Sequence, residues 1–488
     1  MIELPAERIA RQAADHPEST AIVSRRESVD YREFWSRVTR TAAGLCGMNR
    51  VAVLPTSDVG SLVVVTAAMH AGVSVVLLHR HLLPSQLARV LELAKPGAVV
   101  AASQQHRRLR RLGYCGIVHT AVALESDSPV GRAHPDTELL VGITSGTTGE
   151  PKLFVRNQRS WATTLDRSDG TFDIASHSRV SVPGVLDHTH FLYGALHALT
   201  RGASVDLRPV VQALRDGPTH LYSVPTIAWD VVRSGMAPVE RVRGVLSSAA
   251  RWPYPGRRAL QEIVPNASLV HFYGASELSF VSFSRGLGTA DGDSAGELFD
   301  GVEVEIRDGR VFVRSDMLFD GYLTEEGVVD GPVEGWMSVG DRGRVVGDRL
   351  QLFGRDSDML IRAGLNVEPA AVEAALIAIP GIAEAACVGV PDVRMGEVPA
   401  AAIVVDDNAP SSDEMWRHLR ATLPSPSMPV QVLAVDSLPR TPRGKLDRRA
   451  LSLTLATHRS AGRPIDIGDG SKDQTTESGS HAVVRRCT

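Results

Sequence analysis

The chain has 488 residues, 43% of them hydrophobic, and a formal net charge of -4 from 52 Lys and Arg against 56 Asp and Glu. That length is ample for more than one core, and so even a charge balance gives no electrostatic reason to expect nucleic acid or an anionic membrane as the main partner. Four cysteines, Cys46, Cys115, Cys387 and Cys487, stand far apart with no C-x-x-C pair, which argues against a disulfide framework or a zinc site and for a reducing compartment.

The N-terminal MIELPAERIARQAAD mixes charges into its first turns and lacks the apolar core of a signal peptide, so a cytoplasmic location is expected. Residues 5–25 predict an amphipathic helix, with Ile9, Ala13 and Ala14 on one side, and then a strand, Thr20 to Ser24; a second helix is predicted from Tyr31 to Cys46. The uncharged run Ser61 to Leu78 approaches the ~20 residues of a membrane span. His70 and Gly72 divide it, and a buried helix from about Gly60 to Ala71 followed by a strand from Val73 to Leu78 fits its length and β-branched content better. No membrane span is expected. Strand and helix then alternate through Pro84 to Ala94 and Ala98 to Ala101, the pattern of parallel sheets covered by helices.

The stretch Leu139 to Lys152, LLVGITSGTTGEPK, sets an apolar run directly against Thr144, Ser145, Gly146, Thr147, Thr148 and Gly149 and closes on Pro151 and Lys152. It reads as a strand feeding a phosphate loop: glycines let backbone approach a ligand, N-H groups and hydroxyls face an anion, and Lys152 adds a compact positive charge. A flexible surface loop is the plainer reading of such a cluster. The strand immediately before it and the apolar, aromatic segment Leu153 to Trp161 after it argue against that. The common G-x-x-x-x-G-K-[ST] spacing is absent, because Lys152 comes three residues after Gly149.

Further strands are predicted at Arg179 to Val182, Ser204 to Leu207, His220 to Ser223, Val242 to Ser247 and Leu269 to His271, with a helix near Tyr193 to Arg201. Between Gly296 and Tyr322 the pattern changes: Val302, Val304 and Ile306 alternate, Asp308-Gly309 turns, and Val311 and Val313 alternate again, an antiparallel hairpin signal for a small β-subdomain. From Asp358 helices Pro369 to Ile379 and Ser412 to Leu423 and strands Ala386 to Val390, Ala401 to Val405 and Val430 to Val435 make a separate α+β domain. Beyond Thr457 apolar periodicity is lost and disorder is expected.

The string TSGTTGEPK resembles the phosphate-loop signature of the adenylate-forming superfamily, which contains acyl-CoA synthetases, the adenylation domains of nonribosomal peptide synthetases and firefly luciferase. Four more matches follow in that superfamily's order. Tyr273-Gly274-Ala275-Ser276-Glu277 resembles its tyrosine-glycine-x-threonine-glutamate motif, in which the ring stacks on a purine and the carboxylate helps to hold Mg²⁺. WMSVGD, Trp336 to Asp341, resembles the motif whose aspartate accepts from the ribose hydroxyls. Gly354-Arg355 looks like the hinge-side arginine, and PRTPRGKL, Pro439 to Leu446, puts the catalytic lysine at Lys445, an ammonium suited to the charge that grows on an attacked α-phosphate. The resemblance also implies Ala249 and Ala250 at the nucleotide, Thr144 among the catalytic groups, Glu277 as metal ligand, Ser357 at the hinge and Gly364 in the thiol passage.

VPGVLDHTHFLYG, Val182 to Gly194, occupies the place of an aromatic or histidine gate. His188 is the expected gate, with His190 and Phe191 as alternatives. Asp187 is close to where amino-acid-activating members carry an aspartate, but its spacing to Thr200 is too long for that match, which favours a plain carboxylic acid. The implied fold is α/β, a large N-terminal domain of parallel sheets flanked by helices over 1–356, a smaller mobile α+β domain over 357–456, and a disordered tail over 457–488. The implied activity is ATP- and Mg²⁺-dependent conversion of a carboxylic acid, fatty or aryl, to an acyl-adenylate and then to a coenzyme A thioester. Alternatives are a free-standing protein that loads the phosphopantetheine of an acyl carrier protein, and an inactive nucleotide-binding regulator.

Overall fold

The computed structural model describes residues 2–127, 130–145, 151–249, 252, 254–288, 294–355, 360–362, 365–392, 395–406, 408–441, 444–460 and 485–486. Its frame is two large mixed sheets and a smaller third. In the first sheet a parallel run places Thr20–Val23 beside Ser204–Asp206, followed by Arg179–Ser181, His220–Ser223, Gly244–Ser247 and Ser268–Ala275. His220–Ser223 and Gly244–Ser247 are short and buried throughout, as expected of strands covered on both faces. Arg179–Ser181 lies between the strand that follows it and the one after that, so the chain leaves on one side and continues on the other. Such a reversal opens a crevice at the carboxyl ends of the strands.

The second sheet is built on Arg50–Leu54, Ser74–Leu77 and Ala98–Ala101, in parallel, with Glu138–Ser145 parallel to Ser74–Leu77. Its central crossover is the helix Val59–Ala71, apolar all round and buried. Asp58 caps its start by accepting from the Ser61 N-H, and Gly72 ends it at φ 70°, a conformation a Cβ disfavours. The segment that looked long enough for a bilayer is thus a thirteen-residue core helix plus a strand. No helix among the described residues is long and apolar enough to cross a membrane.

The alternating stretch after Val302 forms the expected hairpin, Glu303–Arg307 against Arg310–Arg314. It is not a sheet of its own: through Asp341–Val346, Arg349–Arg355 and Ser294–Leu298 it extends the first sheet from Ser279–Arg285 outward. Gly321–Thr324 departs from it and joins the second sheet beside Pro151–Asn157.

The C-terminal part has its own sheet, with Ile382–Asp392 antiparallel to Gly396–Val405 and Val432–Ala434 parallel to the latter. One face packs Leu376, Val372 and Leu419 from the helices Pro369–Ile377 and Ser412–Thr422; the other packs Leu451 and Leu455 from Arg448–Ser460. This last helix was not expected, and it carries ordered chain three residues past Thr457. Residues 461–484 and 487–488 of the expected tail lie outside the described residues; Arg485–Arg486 pairs with Val432–Ala434.

Candidate active site

The strands on either side of the phosphate-loop segment pair with each other in the second sheet. Glu138–Ser145 and Pro151–Asn157 run antiparallel, with Thr144 opposite Lys152 and Ser145 opposite Pro151. Gly146, Thr147, Thr148 and Gly149 lie outside the described residues. The pairing holds Thr144 and Lys152 face to face at the end of the paired strands. The segment after Lys152 is buried strand, Leu153 to Val155, and then a helix, Gln158–Phe172, capped by the Asn157 side chain.

Tyr273 to Glu277 sit where the last parallel strand of the first sheet, Ser268–Ala275, turns back into Ser279–Arg285. The turn is tight: a Cβ on Gly274 would lie 2.0 Å from the Ser279 carbonyl oxygen, so only glycine fits there. The chain therefore presents Tyr273 before the turn and Glu277 within it. The Tyr273 hydroxyl donates to Asp341, which is 5% exposed and opens the strand Asp341–Val346. Asp341 in turn is paired across the ladder with Arg355. Three separate motifs thus meet at one place. A neutral hydroxyl on a carboxylate is charge-assisted and worth about 1.5–3 kcal/mol.

Glu277, 8% exposed, accepts from the Tyr322 hydroxyl at 2.9 Å. The same tyrosine ring lies under Lys152, with Nζ 5.0 Å from the ring centroid. Tyr322 belongs to Gly321–Thr324, which hydrogen-bonds alongside Pro151–Asn157, so it joins the hairpin of the second sheet to the carboxylate of the first. A single hydroxyl and ring hold an acidic and a basic group that lie far apart in sequence. The donor set, a nearly buried carboxylate and the Thr144 residue near a lysine-bearing hairpin, has the hard-oxygen chemistry that suits Mg²⁺ carried on phosphates.

Ala249, two residues beyond Gly244–Ser247, adopts φ 73°, a left-handed conformation uncommon for alanine and often kept at ligand sites. Ala250, Ser357 and Gly364 lie outside the described residues, as do the side chains of Ser145 and Arg355. Ser276 is half-buried in the turn.

The gate segment follows Arg179–Ser181 at the crevice of the first sheet. His188 starts the helix Thr189–Thr200, and its side chain is 23% exposed. Of the two alternatives, His190 is half-buried and Phe191 buried. His190 donates to the Ser223 carbonyl at 2.8 Å among the rings of Tyr222 and Phe272, and burial lowers its pKa to about 4. Phe191 is 6% exposed. The Asp187 side chain is wholly buried and accepts from the Arg80 backbone N-H at 3.1 Å.

Lys445 is exposed on a small loop closed by hydrogen bonds from the Thr441 N-H to the Lys445 carbonyl and from the Gly444 N-H to the Thr441 carbonyl. The loop faces the N-terminal part of the chain, because a methyl on Gly444 would lie 3.5 Å from the Thr226 hydroxyl oxygen. Sequence reasoning did not single out Tyr322, His79, Arg80 or Thr226 for the site. Tyr322 stood only at the end of a predicted hairpin region, and His79-Arg80-His81, directly after a buried strand, was the available signal for the second.

Residues 9–323 match the family described as AMP-binding enzyme, and residues 371–445 match the AMP-binding enzyme C-terminal domain. The chain is 31% identical over 467 residues to a Bacillus subtilis protein named uncharacterized acyl-CoA ligase YhfT, covering 89% of this chain and 95% of that one. Among solved structures it is similar to ATP-bound MatB from Rhodopseudomonas palustris, with a TM-score of 0.81 at 23% identity over 92% of this chain and 99% of that one. It is also similar to the amide bond synthetase McbA from Marinactinospora thermotolerans, with a TM-score of 0.79 at 25% identity over 92% and 99%.

Proposed function

The chain belongs to the AMP-binding enzymes, and from that premise we propose that it activates a carboxylic acid with ATP to an acyl-adenylate, releasing pyrophosphate, and passes the acyl group to the thiol of coenzyme A. The observation that carries this reading is the convergence of Tyr273, Asp341, Glu277, Tyr322 and Lys152, from four separate segments, around the mouth of one hairpin. In this reading Asp341 accepts from the ribose, the Tyr273 ring supports the purine, and Lys152 with the hairpin residues 144–149 holds the phosphates. Mg²⁺ bound through Glu277 would neutralise charge on the phosphate oxygens. Thr144 helps to orient the transferred phosphate. Lys445 meets the α-phosphate as the carboxylate oxygen attacks, and it stabilises that charge more than it stabilises the ground state.

We assign residues 1–356 to the body that binds nucleotide and acid and 357–456 to a mobile lid. The separate C-terminal core supports this division, and so does the position of Gly444 beside Thr226. The lid presents Lys445 for the first half-reaction. For the second it turns about Ser357, bringing Gly364 to the path of the thiol. His188 is the gate between acid and thiol. Cys46 and Cys115 are exposed and in no disulfide, which suits a reducing, cytoplasmic location. The test is acid-dependent exchange of labelled pyrophosphate into ATP across fatty and aryl acids, followed by thioester yield with coenzyme A and with a phosphopantetheinyl carrier protein. No exchange with any acid, despite ATP binding, sinks the enzyme reading; a thioester formed only on the carrier moves the acceptor.

A further inference from the structure

His79 stands in the turn after Ser74–Leu77 of the second sheet and is 4% exposed. Its Nε2 lies 3.2 Å from Nε2 of His188, across the seam between the two sheets, and the two rings are nearly perpendicular, at 84°. Asp187, whose side chain is wholly buried, sits 3.8 Å from His79 Nε2 and 3.9 Å from His188 Nε2. Asp187 is tied to the His79 turn by the Arg80 backbone N-H, with the Arg80 guanidinium 3.7 Å away. The two loops are thus clipped together at the crevice where the first sheet reverses its strand order.

Three ligand atoms at this spacing invite a metal, since tetrahedral ligands at about 2.0–2.1 Å from zinc are about 3.3 Å from one another. The other nitrogen of His79 argues otherwise. Its Nδ1 accepts the His81 backbone N-H at 3.1 Å, so the lone pair is there and the proton of the neutral ring is on Nε2. A protonated Nε2 cannot ligate a cation, but it can donate. It then donates to His188 Nε2, which places the His188 proton on Nδ1.

Resting on the reading of His188 as the gate, we propose that His79 is a positioning residue, which fixes the tautomer and ring orientation of His188 through an Nε2-H to Nε2 hydrogen bond. The backbone of His81 dictates the tautomer of His79, and His79 dictates that of His188. The gate is therefore set by the second sheet, which also carries the phosphate hairpin. Any movement between the sheets alters the imidazole that faces acid and thiol.

The test times the two half-reactions separately in the full chain. His79→Leu should slow thioester formation from supplied acyl-adenylate about tenfold, the factor that loss of roughly one hydrogen bond produces, with the KM for ATP in pyrophosphate exchange unchanged. In His79→Gln the side-chain amide N-H reaches the place of the imidazole Nε2-H, and most of the rate should return. His79→Leu added to His188→Ala should cost nothing further, because the partner is already gone. Equal damage in His79→Leu and His79→Gln, with inactivation of the parent by phenanthroline in excess Mg²⁺, would show a metal site and overturn the proposal. So would an additive loss in the double variant, which would mark His79 as merely structural. If His79→Leu melts below the assay temperature, the comparison of His79→Gln with parent and the phenanthroline arm still decide. An unaffected His188→Ala would instead remove the gate reading, whereas an impaired His188→Ala beside an unaffected His79→Leu removes only the positioning.

Discussion

Asp341 and Glu277 are 5% and 8% exposed and each receives a tyrosine hydroxyl, whereas Lys445 stands out on a loop held by its own backbone. The two regions serve one proposed reaction and are built on opposite principles. Groups that grip a ligand present from start to finish are fixed before it arrives, which lowers the entropy lost on binding. A charge needed for only one of two half-reactions must be removable, so it sits on a separate core.

The sharpest way to break this comparison is Lys445→Ala. An exposed lysine should cost almost nothing in stability, but loss of a contact made only in the transition state should lower pyrophosphate exchange by about 10²–10³-fold. Thioester formation from supplied adenylate should stay within about threefold of parent, since Lys445 is then turned away. A thermal melt beside both assays checks it. Equal losses in both half-reactions would mean that the lysine is not removable in the proposed sense.

Acid distinguishes the same two regions by stability. Burial lowers the pKa of His220 to about 4 and that of His271 to about 3, both in the first sheet, from 6.5 in the unfolded chain. Because the folded values are depressed, the unfolded state binds more protons as pH falls, so the stabilisation is complete above pH 6.5 and is lost progressively down to about pH 4 and 3. His220 then removes about 3 kcal/mol and His271 about 5 kcal/mol. The C-terminal core instead packs Val372, Leu376 and Leu419 on one face of its sheet and Leu451 and Leu455 on the other. Calorimetry between pH 7 and 4 should show the larger transition moving down first, and His220→Gln should flatten that dependence.

Much of this was legible in the sequence, and the limits have physical causes. The hairpin residues Thr144 and Lys152, the Tyr273 to Glu277 turn and Asp341 all carry local signatures: glycine where a Cβ would clash, and a carboxylate after a turn. The core helix Val59–Ala71 was readable because His70 and Gly72 interrupt the apolar run. Tyr322 was not, because its role depends on Gly321–Thr324 leaving one sheet for another, a long-range pairing with no local trace. His79 was hidden for the same reason, since it meets His188 only when the two sheets come together. The helix Arg448–Ser460 was lost against the polar residues around it, although Leu451 and Leu455 hold the expected four-residue spacing.

Tyr322→Phe sharpens the comparison at intermediate strength. It keeps the ring beneath Lys152 and removes only the hydroxyl given to Glu277. A nearly buried carboxylate that loses one donor should cost about 1 kcal/mol in the melt, and the Mg²⁺ dependence of exchange should weaken by about fivefold. If the melt falls while the Mg²⁺ dependence is unchanged, the tyrosine is only a joint between the sheets.

The smallest expected effect belongs to Ala249, and it separates fixing a site from stabilising a fold. At φ 73° an alanine bears roughly 1 kcal/mol of steric cost that glycine does not. Glycine also gains freedom in the unfolded chain, which opposes the relief by about 0.4–1 kcal/mol. The two terms nearly cancel, so Ala249→Gly should shift the melting temperature by no more than about 2 °C in either direction. Binding should respond differently. The methyl group holds one backbone conformation at the end of Gly244–Ser247, beside the proposed nucleotide site, and glycine there admits several that must be frozen when ATP enters. The KM for ATP should therefore rise about threefold, a cost of roughly 0.6 kcal/mol, with exchange at saturating ATP unchanged. A rise in melting temperature with no change in KM would show that the strain at Ala249 serves nothing in binding, and that the pre-set region is fixed by its tyrosine hydrogen bonds alone.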